Sequence, residues 1–224
     1  MLILGIDSST KTASVGICDG EKVLVSFTLN HKRTHSEKLL GMIDDSLKIA
    51  QLDISDIDAF AVTRGPGSFT GLRIGLATVK GLCHAMKKPC YSVSTLDALY
   101  ENVYNGEEDI LYAPLMDARR GEVYCSAYLN GEKVIDDSAM ALTDFLEKIK
   151  ELSFKKVMFT GDGVYPNIDI IKGFDKSYLI APEHLLLGSG PSVIKAALKT
   201  GNPLEYQEVV PEYLRLSQAE RLKK

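Results

Sequence analysis

The stretch Gly65-Pro66-Gly67-Ser68-Phe69-Thr70-Gly71-Leu72-Arg73-Ile74-Gly75 decides how this chain folds. It lies between an apolar run that ends near Val62 and a periodic run that continues to Met86. Glycine and proline at this density mark a tight turn, so the sequence predicts a strand, a sharp turn and a helix. Ser68 or Thr70 can cap that helix by accepting a hydrogen bond from an early backbone N–H.

This glycine turn has two interpretations. In the first it is a phosphate-binding loop, because glycines at a helix start let an anion approach the backbone. The lysine of the G-x-x-x-x-G-K-[ST] motif and the G-x-G-x-x-G spacing are both missing, however. In the second interpretation the glycines allow another segment of the protein to pack closely.

The helix predicted over Gly71–Met86 is apolar on two sides. One face carries Leu72, Leu76, Val79, Leu82, Cys83 and Met86, and the other carries Ile74, Ala77, Gly81 and Ala85. Only Arg73, Lys80 and His84 form a polar strip. Such a helix has neighbours on both sides, which are either a partner subunit or the rest of its own domain.

A second helix, predicted over His35–Ala50, has the same character. Its apolar positions cover roughly half of the circumference, which is wider than one packed face requires. They are Leu39, Leu40, Met42, Ile43, Leu47, Ile49 and Ala50. An external neighbour is therefore expected here as well.

The composition is that of an ordinary globular protein. The chain has 224 residues, of which 45% are hydrophobic and 25% are charged, and its net charge is −4. A net negative charge argues against a protein that binds nucleic acid without the help of a partner. Asp7 interrupts the apolar run Met1–Ile6 and no basic segment precedes it, so we expect neither a signal peptide nor a membrane span, and a cytoplasmic location.

The four cysteines predict neither a disulfide framework nor a zinc site. They lie in apolar surroundings and include no C-x-x-C pair; they are Cys18, Cys83, Cys90 and Cys125. Buried, reduced thiols are expected.

The order of predicted elements repeats at about half the chain length. The first half contains strands Leu2–Ile6, Ala13–Cys18 and Lys22–Leu29, helix His35–Ala50, strand Ala59–Val62, helix Gly71–Met86, strand Cys90–Val93 and a helix after Ser94-Thr95. The second contains strands Ile110–Met116 and Glu122–Leu129, a strand starting at Lys133–Ile135, helix Thr143–Ile149, strand Lys156–Thr160 and helix Pro191–Leu198. Polar residues 101–109 separate the halves, so we predict subdomains 1–105 and 106–224, with the tail docking back on the body.

In both halves the first strand ends in an aspartate, Asp7 or Asp117. This plan resembles the superfamily of actin, sugar kinases and Hsp70, called ASKHA. The resemblance implies an α/β fold of two ribonuclease-H-like subdomains. It also implies that Asp7 and the hydroxyl-rich turn Ser8, Ser9 and Thr10 descend from a loop that holds metal and phosphate.

Within that superfamily, the chain resembles the bacterial TsaB family of tRNA threonylcarbamoyladenosine biosynthesis proteins, formerly called YeaZ. The matching motifs span nearly the whole chain: Gly5-Ile6-Asp7-Ser8-Ser9, His35-Ser36-Glu37-Lys38-Leu39-Leu40, Gly65 to Gly75, Lys80-Gly81-Leu82, Val93-Ser94-Thr95-Leu96, Asp117-Ala118-Arg119, Glu122-Val123-Tyr124 and Pro211-Glu212-Tyr213-Leu214-Arg215. The resemblance implies a non-catalytic subunit needed to make threonylcarbamoyladenosine at tRNA position 37.

The same resemblance implies partners that do the chemistry. A catalytic paralogue, TsaD, would transfer threonylcarbamoyl from threonylcarbamoyl-AMP to adenosine 37, and a small ATPase, TsaE, would be the third member. ATP, magnesium and the metal would be held by TsaD and TsaE, and no cofactor by this chain. Transfer RNA would be contacted mainly through the complex, and no membrane is involved.

The residues at the expected phosphate loops argue against catalysis by this chain. Ala118-Arg119-Arg120 stands where the superfamily's second phosphate loop is glycine-rich, and Gly161-Asp162-Gly163 is either a remnant of the nucleotide-base loop or a turn. We therefore treat Asp7, Ser8, Ser9 and Thr10 as a vestigial nucleotide site and expect no catalytic residue. ATP binding by this chain remains an alternative function.

Two further site hypotheses concern a metal site and a peptidase. His31 and His35 have the i, i+4 spacing of metal ligands, but they lie in a polar segment with no third ligand nearby, so no metal site is expected. A peptidase of the glycoprotease type, acting on TsaD, is the other alternative. Gly67-Ser68-Phe69-Thr70-Gly71 does not match the G-x-S-x-G nucleophile elbow. His84 lies on the polar strip with Arg73 and Lys80, where a surface histidine is expected and not a catalytic base.

The resulting hypothesis is a protein that pairs with a TsaD-type subunit through its two apolar helices. In isolation it would form a homodimer through the same surface. The predicted interface residues are Leu39, Met42, Ile43, Gly71, Leu72, Gly75, Leu76, Thr78, Val79 and Leu82.

Overall fold

A computed structural model describes residues 1–30 and 35–215 and divides the chain into two compact units. The first unit contains Met1–Glu101 and Gly188–Tyr213. The second contains Asn102–Leu187 and, of the described residues, Leu214 and Arg215. Within the described part of the chain, no helix is both long and apolar enough to cross a membrane.

The first unit is built on a five-stranded sheet with the order β3-β2-β1-β4-β5. Its elements are β1 Leu2–Asp7, β2 Ala13–Asp19, β3 Lys22–Leu29, α1 His35–Ala50, β4 Ala59–Gly65, α2 Phe69–Met86, β5 Cys90–Ser94, most of α3 Thr95–Val103, and α6 Gly190–Thr200. The first three strands are antiparallel, because short turns join them, whereas β4 and β5 run parallel to β1.

Side chains that alternate along β1 divide between the two faces of this sheet. Leu4 and Ile6 pack with α1 and α2 in one apolar core. Ile3 packs with α6, including Ile194, in the other core. A near-continuous apolar strand such as Leu2–Ile6 is thus buried on both sides, as a central strand should be.

The second unit repeats the plan with the sheet order β10-β9-β6-β7-β8. Its elements are β6 Ile110–Asp117, β7 Glu122–Leu129, β8 Glu132–Ala141, α4 Leu142–Lys150, β9 Lys156–Thr160, α5 Ile168–Lys172 and β10 Tyr178–Ile180. Each strand has a counterpart at the same place in the first sheet. The duplication predicted from element order is therefore confirmed, although α5 and β10 were not predicted.

The predicted subdomain boundaries need correction. Residues 188–213 belong to the first unit, so assigning residues 106–224 to one subdomain was wrong for this segment. The reason is that α6 begins on the first sheet: the Gly190 N–H donates to Ser14 Oγ at 2.9 Å, and a Cβ at Gly16 would overlap Pro191. Further along, Val209 is buried in the core of the first unit.

All four cysteines are buried free thiols, as predicted. Desolvation raises the pKa of Cys18 to about 11 and that of Cys125 to about 12. Cys18 and Cys125 therefore stay neutral at physiological pH and act as small apolar residues.

Candidate functional site

The Asp7 turn lies at the end of β1 in the interior of the first unit. The Asp7 side chain is 1% exposed, and its Oδ1 accepts hydrogen bonds from the Ser9 N–H at 2.9 Å and from Thr63 Oγ1 at 3.0 Å. Its Oδ2 has no hydrogen-bond partner among the described residues and faces Gly188, where a Cβ would overlap it. The carboxylate is thus enclosed by its own unit.

The glycine turn covers the remaining residues of the Asp7 turn. Ser8 Oγ donates to the Gly71 carbonyl at 2.9 Å, and the Ser68 N–H donates to the Ser9 carbonyl at 2.6 Å. A Cβ at Gly67 would overlap that same Ser9 carbonyl oxygen, so glycine is required for the close approach. The packing interpretation of the glycine turn is therefore the one that fits.

These contacts leave no open cradle for a nucleotide. The Thr10 and Thr12 hydroxyls are hydrogen-bonded to each other, with 2.8 Å between their oxygens. The Ser9 hydroxyl is buried without a hydrogen-bond partner in the described chain. A phosphate or a metal ion needs donors or oxygens arranged around a space large enough to hold it, whereas Asp7 Oδ2 lies directly against Gly188. The superfamily's metal and phosphate do not fit the turn in this conformation.

The corresponding turn of the second unit is exposed. Asp117 Oδ1 accepts the Arg119 N–H at 2.8 Å, and the Asp117 N–H donates to Asp162 Oδ1 at 3.2 Å. Arg119, Arg120 and Gly121 all have positive φ, at 63°, 58° and 77°. Two exposed arginines thus occupy this turn ahead of Gly121.

The segment Gly161-Asp162-Gly163 is a packed turn of the second unit. The Gly163 N–H donates to the Leu115 carbonyl at 3.0 Å, and a Cβ at Gly161 would overlap the same oxygen. Of the two interpretations offered by the sequence, a turn agrees with these contacts.

Most of the predicted interface residues lie in the core of the first unit instead. Those that are buried by their own unit are Leu39, Met42, Ile43, Gly71, Leu72, Gly75, Leu76 and Val79. Assigning them to a partner was wrong, because a side chain that its own unit already covers cannot be buried again by a second protein. Thr78 and Leu82 are half-buried and remain interface predictions.

The other face of α2 reaches solvent and forms what we call the α2 stripe, made of Ile74, Ala77, Thr78, Gly81, Leu82 and Ala85. Ala77, Gly81 and Ala85 are exposed, and a Cβ at Gly81 would meet no atom within 4 Å. The helical wheel of the sequence identifies this second apolar face, but only the fold determines which face the sheet covers.

The neighbouring helix α1 also exposes large apolar side chains. Leu40 is 62% exposed and Ile49 is 71% exposed, whereas the core-facing side chains of α1 are buried. Leu40 and Ile49 lie on different sides of α1, and the exposed positions of that helix also carry Glu37, Asp44 and Lys48. The α2 stripe is therefore the more continuous apolar surface, and an apolar surface of this kind is typical of the centre of a protein interface.

The two remaining site hypotheses concern a metal site and a peptidase. The metal hypothesis lies outside the described residues, because neither His31 nor the side chain of His35 is described. Within residues 1–30 and 36–215, no three His, Cys, Asp or Glu side chains lie together as metal ligands. Ser68 caps α2 by accepting the Gly71 N–H at 3.3 Å, and His84 shares a hydrogen bond with the Tyr206 hydroxyl at 3.1 Å.

Comparison with known proteins places the chain in a family. A family model described as TsaD, tRNA N6-adenosine threonylcarbamoyltransferase, matches residues 22–162. The tRNA threonylcarbamoyladenosine biosynthesis protein TsaB of Bacillus subtilis (strain 168) is 32% identical over 98% of this chain and 96% of the relative. The chain belongs to the TsaB family. The TsaB family indicated by the sequence motifs is confirmed.

Solved structures agree with the TsaB assignment and with the expected fold. YeaZ from Pseudomonas aeruginosa has a TM-score of 0.73 and 26% identity, over 95% of this chain and 99% of that structure. Inorganic polyphosphate/ATP-glucomannokinase from Arthrobacter sp. strain KM has a TM-score of 0.56 and 12% identity, over 88% of this chain and 99% of that one. The second likeness concerns the fold alone, and it confirms the α/β class shared with sugar kinases.

Proposed function

We propose that this TsaB-family chain is a non-catalytic subunit that binds a TsaD-type paralogue through α1 and α2. In that role it supports transfer of threonylcarbamoyl from threonylcarbamoyl-AMP to adenosine 37 of tRNA in the cytoplasm. A TsaE-type ATPase is the third partner, tRNA is contacted mainly through the complex, and nucleotide and metal are held by the partners. Alone, the chain forms a homodimer through the same surface.

The α2 stripe is the observation that carries this proposal. Its alanines and its glycine allow the backbone of another helix to approach closely, and no charged residue interrupts it. Leu40 and Ile49 supply larger apolar side chains on α1. A partner helix pair seated there would bury apolar area that is otherwise left in water.

The geometry disfavours the two enzyme alternatives. An ATPase would need the Asp7 carboxylate to reach a metal ion, whereas Asp7 is enclosed by Thr63, Ser9 and Gly188. A peptidase would need Ser68 near a base such as His84. These residues lie at opposite ends of α2, roughly 24 Å apart by the helical rise.

The experiment that tests the proposal replaces Ala77 with glutamate. The side chain of Ala77 is exposed and lies on the α2 stripe where it borders Arg73 and Lys80, and glutamate costs little in a helix. A carboxylate buried at the interface should weaken binding to the TsaD-type subunit by roughly a hundredfold, which is on the order of 3 kcal/mol. Titration calorimetry measures this affinity, and sedimentation of the chain alone should show loss of the homodimer.

A matched control separates this effect from added charge. Thr143→Glu places the same carboxylate at an exposed helical position of α4 in the second unit and should bind normally. Gly75→Glu is unsuitable because a side chain there would overlap Ser8 Oγ and disturb the fold. Unchanged affinity of Ala77→Glu, in a folded protein, would reject this surface as the binding site.

A further inference from the structure

The C-terminal segment of the first unit, residues 204–213, runs along α2 from the end of the helix to its start. Leu204 exchanges backbone hydrogen bonds with Cys90 at 3.1 and 2.7 Å, and Tyr206 contacts His84 in the last turn of α2. Val209 then enters the core that α2 shares with the sheet. The segment, which we call the strap, ends beside the first turn of α2.

Tyr213 holds the start of α2 through two side chains, Phe69 and Arg73. Its ring stacks on Phe69 with 4.5 Å between the ring centroids, and its hydroxyl accepts a hydrogen bond from Arg73 Nε at 3.1 Å. The Arg73 guanidinium also lies 3.8 Å from the centre of the Phe69 ring. Residues four apart on one helix are thus joined to the same tyrosine.

Glu212 holds the turn that precedes α2. Its N–H donates to the Arg64 carbonyl at 2.8 Å, and its carboxylate accepts from Arg64 Nε at 2.7 Å. Arg64 also donates to the Ser92 carbonyl at 2.7 Å. Gly65 lies against the Glu212 carbonyl so closely that a Cβ would overlap it. The path from β4 into α2 is therefore set by the strap as well as by the glycines.

We propose that Glu212 and Tyr213 are positioning residues for partner binding, which rests on the proposed function of α2. The α2 stripe begins at Ile74, next to the Arg73 that Tyr213 holds. A first turn that frays in the free protein must be ordered again when a partner binds, and that ordering lowers the affinity. The strap removes this cost by holding the first turn in place before the partner arrives.

The test is Tyr213→Ala, with two readouts. Hydrogen exchange of the amides of residues 71–73 should become about tenfold faster, because an aromatic stack of this kind is worth that factor. Exchange at Val79 and Leu82, in the middle of α2, should not change. The affinity for the TsaD-type subunit should fall by about tenfold, whereas Tyr213→Phe, which keeps the stack, should stay within about threefold of the original protein.

Tyr165→Ala serves as the control, because Tyr165 is an exposed tyrosine of the second unit, and it should alter neither readout. Faster exchange without loss of affinity would overturn the proposal, since the strap would then support only the fold. Unchanged exchange and unchanged affinity would overturn it too. If the original protein does not bind the TsaD-type subunit, the proposed function fails first, and the exchange readout still reports what the strap does to α2.

Discussion

The Asp7 and Asp117 turns share one hydrogen-bond pattern, but the first turn is buried and the second is exposed. Each closes the first strand of its sheet, and each aspartate accepts the N–H two residues on, at 2.9 Å for Asp7 and 2.8 Å for Asp117. Asp7 is buried under the glycine turn, whereas Asp117 is exposed beside two arginines. Both units contain the turn, and the residues around it determine whether its aspartate is buried or exposed.

The difference shows that one backbone turn can be packed over or left open by the residues around it. At Asp7 the loop is filled, because Gly67, Gly71 and Gly75 let α2 and its turn settle on Ser8 and Ser9. At Asp117 the loop stays open but lacks the glycines that would let a phosphate reach the backbone. Under the proposed function, the helix that is seated on Ser8 and Ser9 in this way is the one that binds the partner.

The largest expected effect comes from removing each aspartate. Asp7→Ala leaves the Ser9 N–H and the Thr63 hydroxyl buried without acceptors, so it should lower the free energy of unfolding by about 3 kcal/mol. Asp117→Ala removes exposed hydrogen bonds and should cost less than about 1 kcal/mol. Urea unfolding followed by circular dichroism measures both; equal losses would contradict the comparison.

A smaller effect is expected from adding a methyl group to each turn. In Gly67→Ala the new Cβ overlaps the Ser9 carbonyl, so the backbone must move at a cost of about 2 to 3 kcal/mol. At Gly121, with a φ of 77° and no atom within 4 Å of a Cβ, alanine meets only conformational strain of about 1 kcal/mol. In thermal unfolding, the melting temperature should therefore fall more in Gly67→Ala than in Gly121→Ala. The reverse ranking would mean that the glycine turn is loosely packed.

The last prediction concerns the buried thiols, whose effect is confined to pH values above 9, and there the two units should agree. The pKa of Cys18 is raised from 9.0 to about 11 and that of Cys125 from 9.0 to about 12. A thiol whose pKa is raised on folding stabilises the protein below pH 9, and this contribution is lost as the pH rises through the folded pKa. Stability should therefore decline above pH 9 and decline less in Cys18→Ala or Cys125→Ala. A flat profile up to pH 11 would show that the thiols are solvated.

Much of the fold could be predicted from the sequence, because local signals determine it. Period-two apolar runs and the Asp19-Gly20 turn give the hairpins, and the glycine turn gives the start of α2. The short elements α5 and β10 carry too few residues for a pattern. The return of residues 188–213 to the first unit depends on long-range packing of Gly190 against Gly16, which no local pattern reveals.

The candidate site was predicted less well than the fold. A helix with two apolar faces does not show which face its own sheet covers, so the larger side chains, such as Leu76 and Val79, were assigned to the partner. They are core residues, and the smaller face with Ala77 and Gly81 is the exposed one. Large side chains fill cores and small ones permit close helix contacts, and this rule would have chosen the correct face.

The most direct test of the central claim, that this chain acts by binding and not by chemistry, is threonylcarbamoyladenosine formation in a reconstituted system, titrated with Ala77→Glu. We expect little product at low concentrations of the variant and the full maximal rate once the variant saturates the TsaD-type subunit. A maximal rate that stays low at saturation would contradict the account, because the chain would then contribute to the reaction itself. Full activity at low concentration would contradict it as well, because the α2 stripe would then not bind the partner.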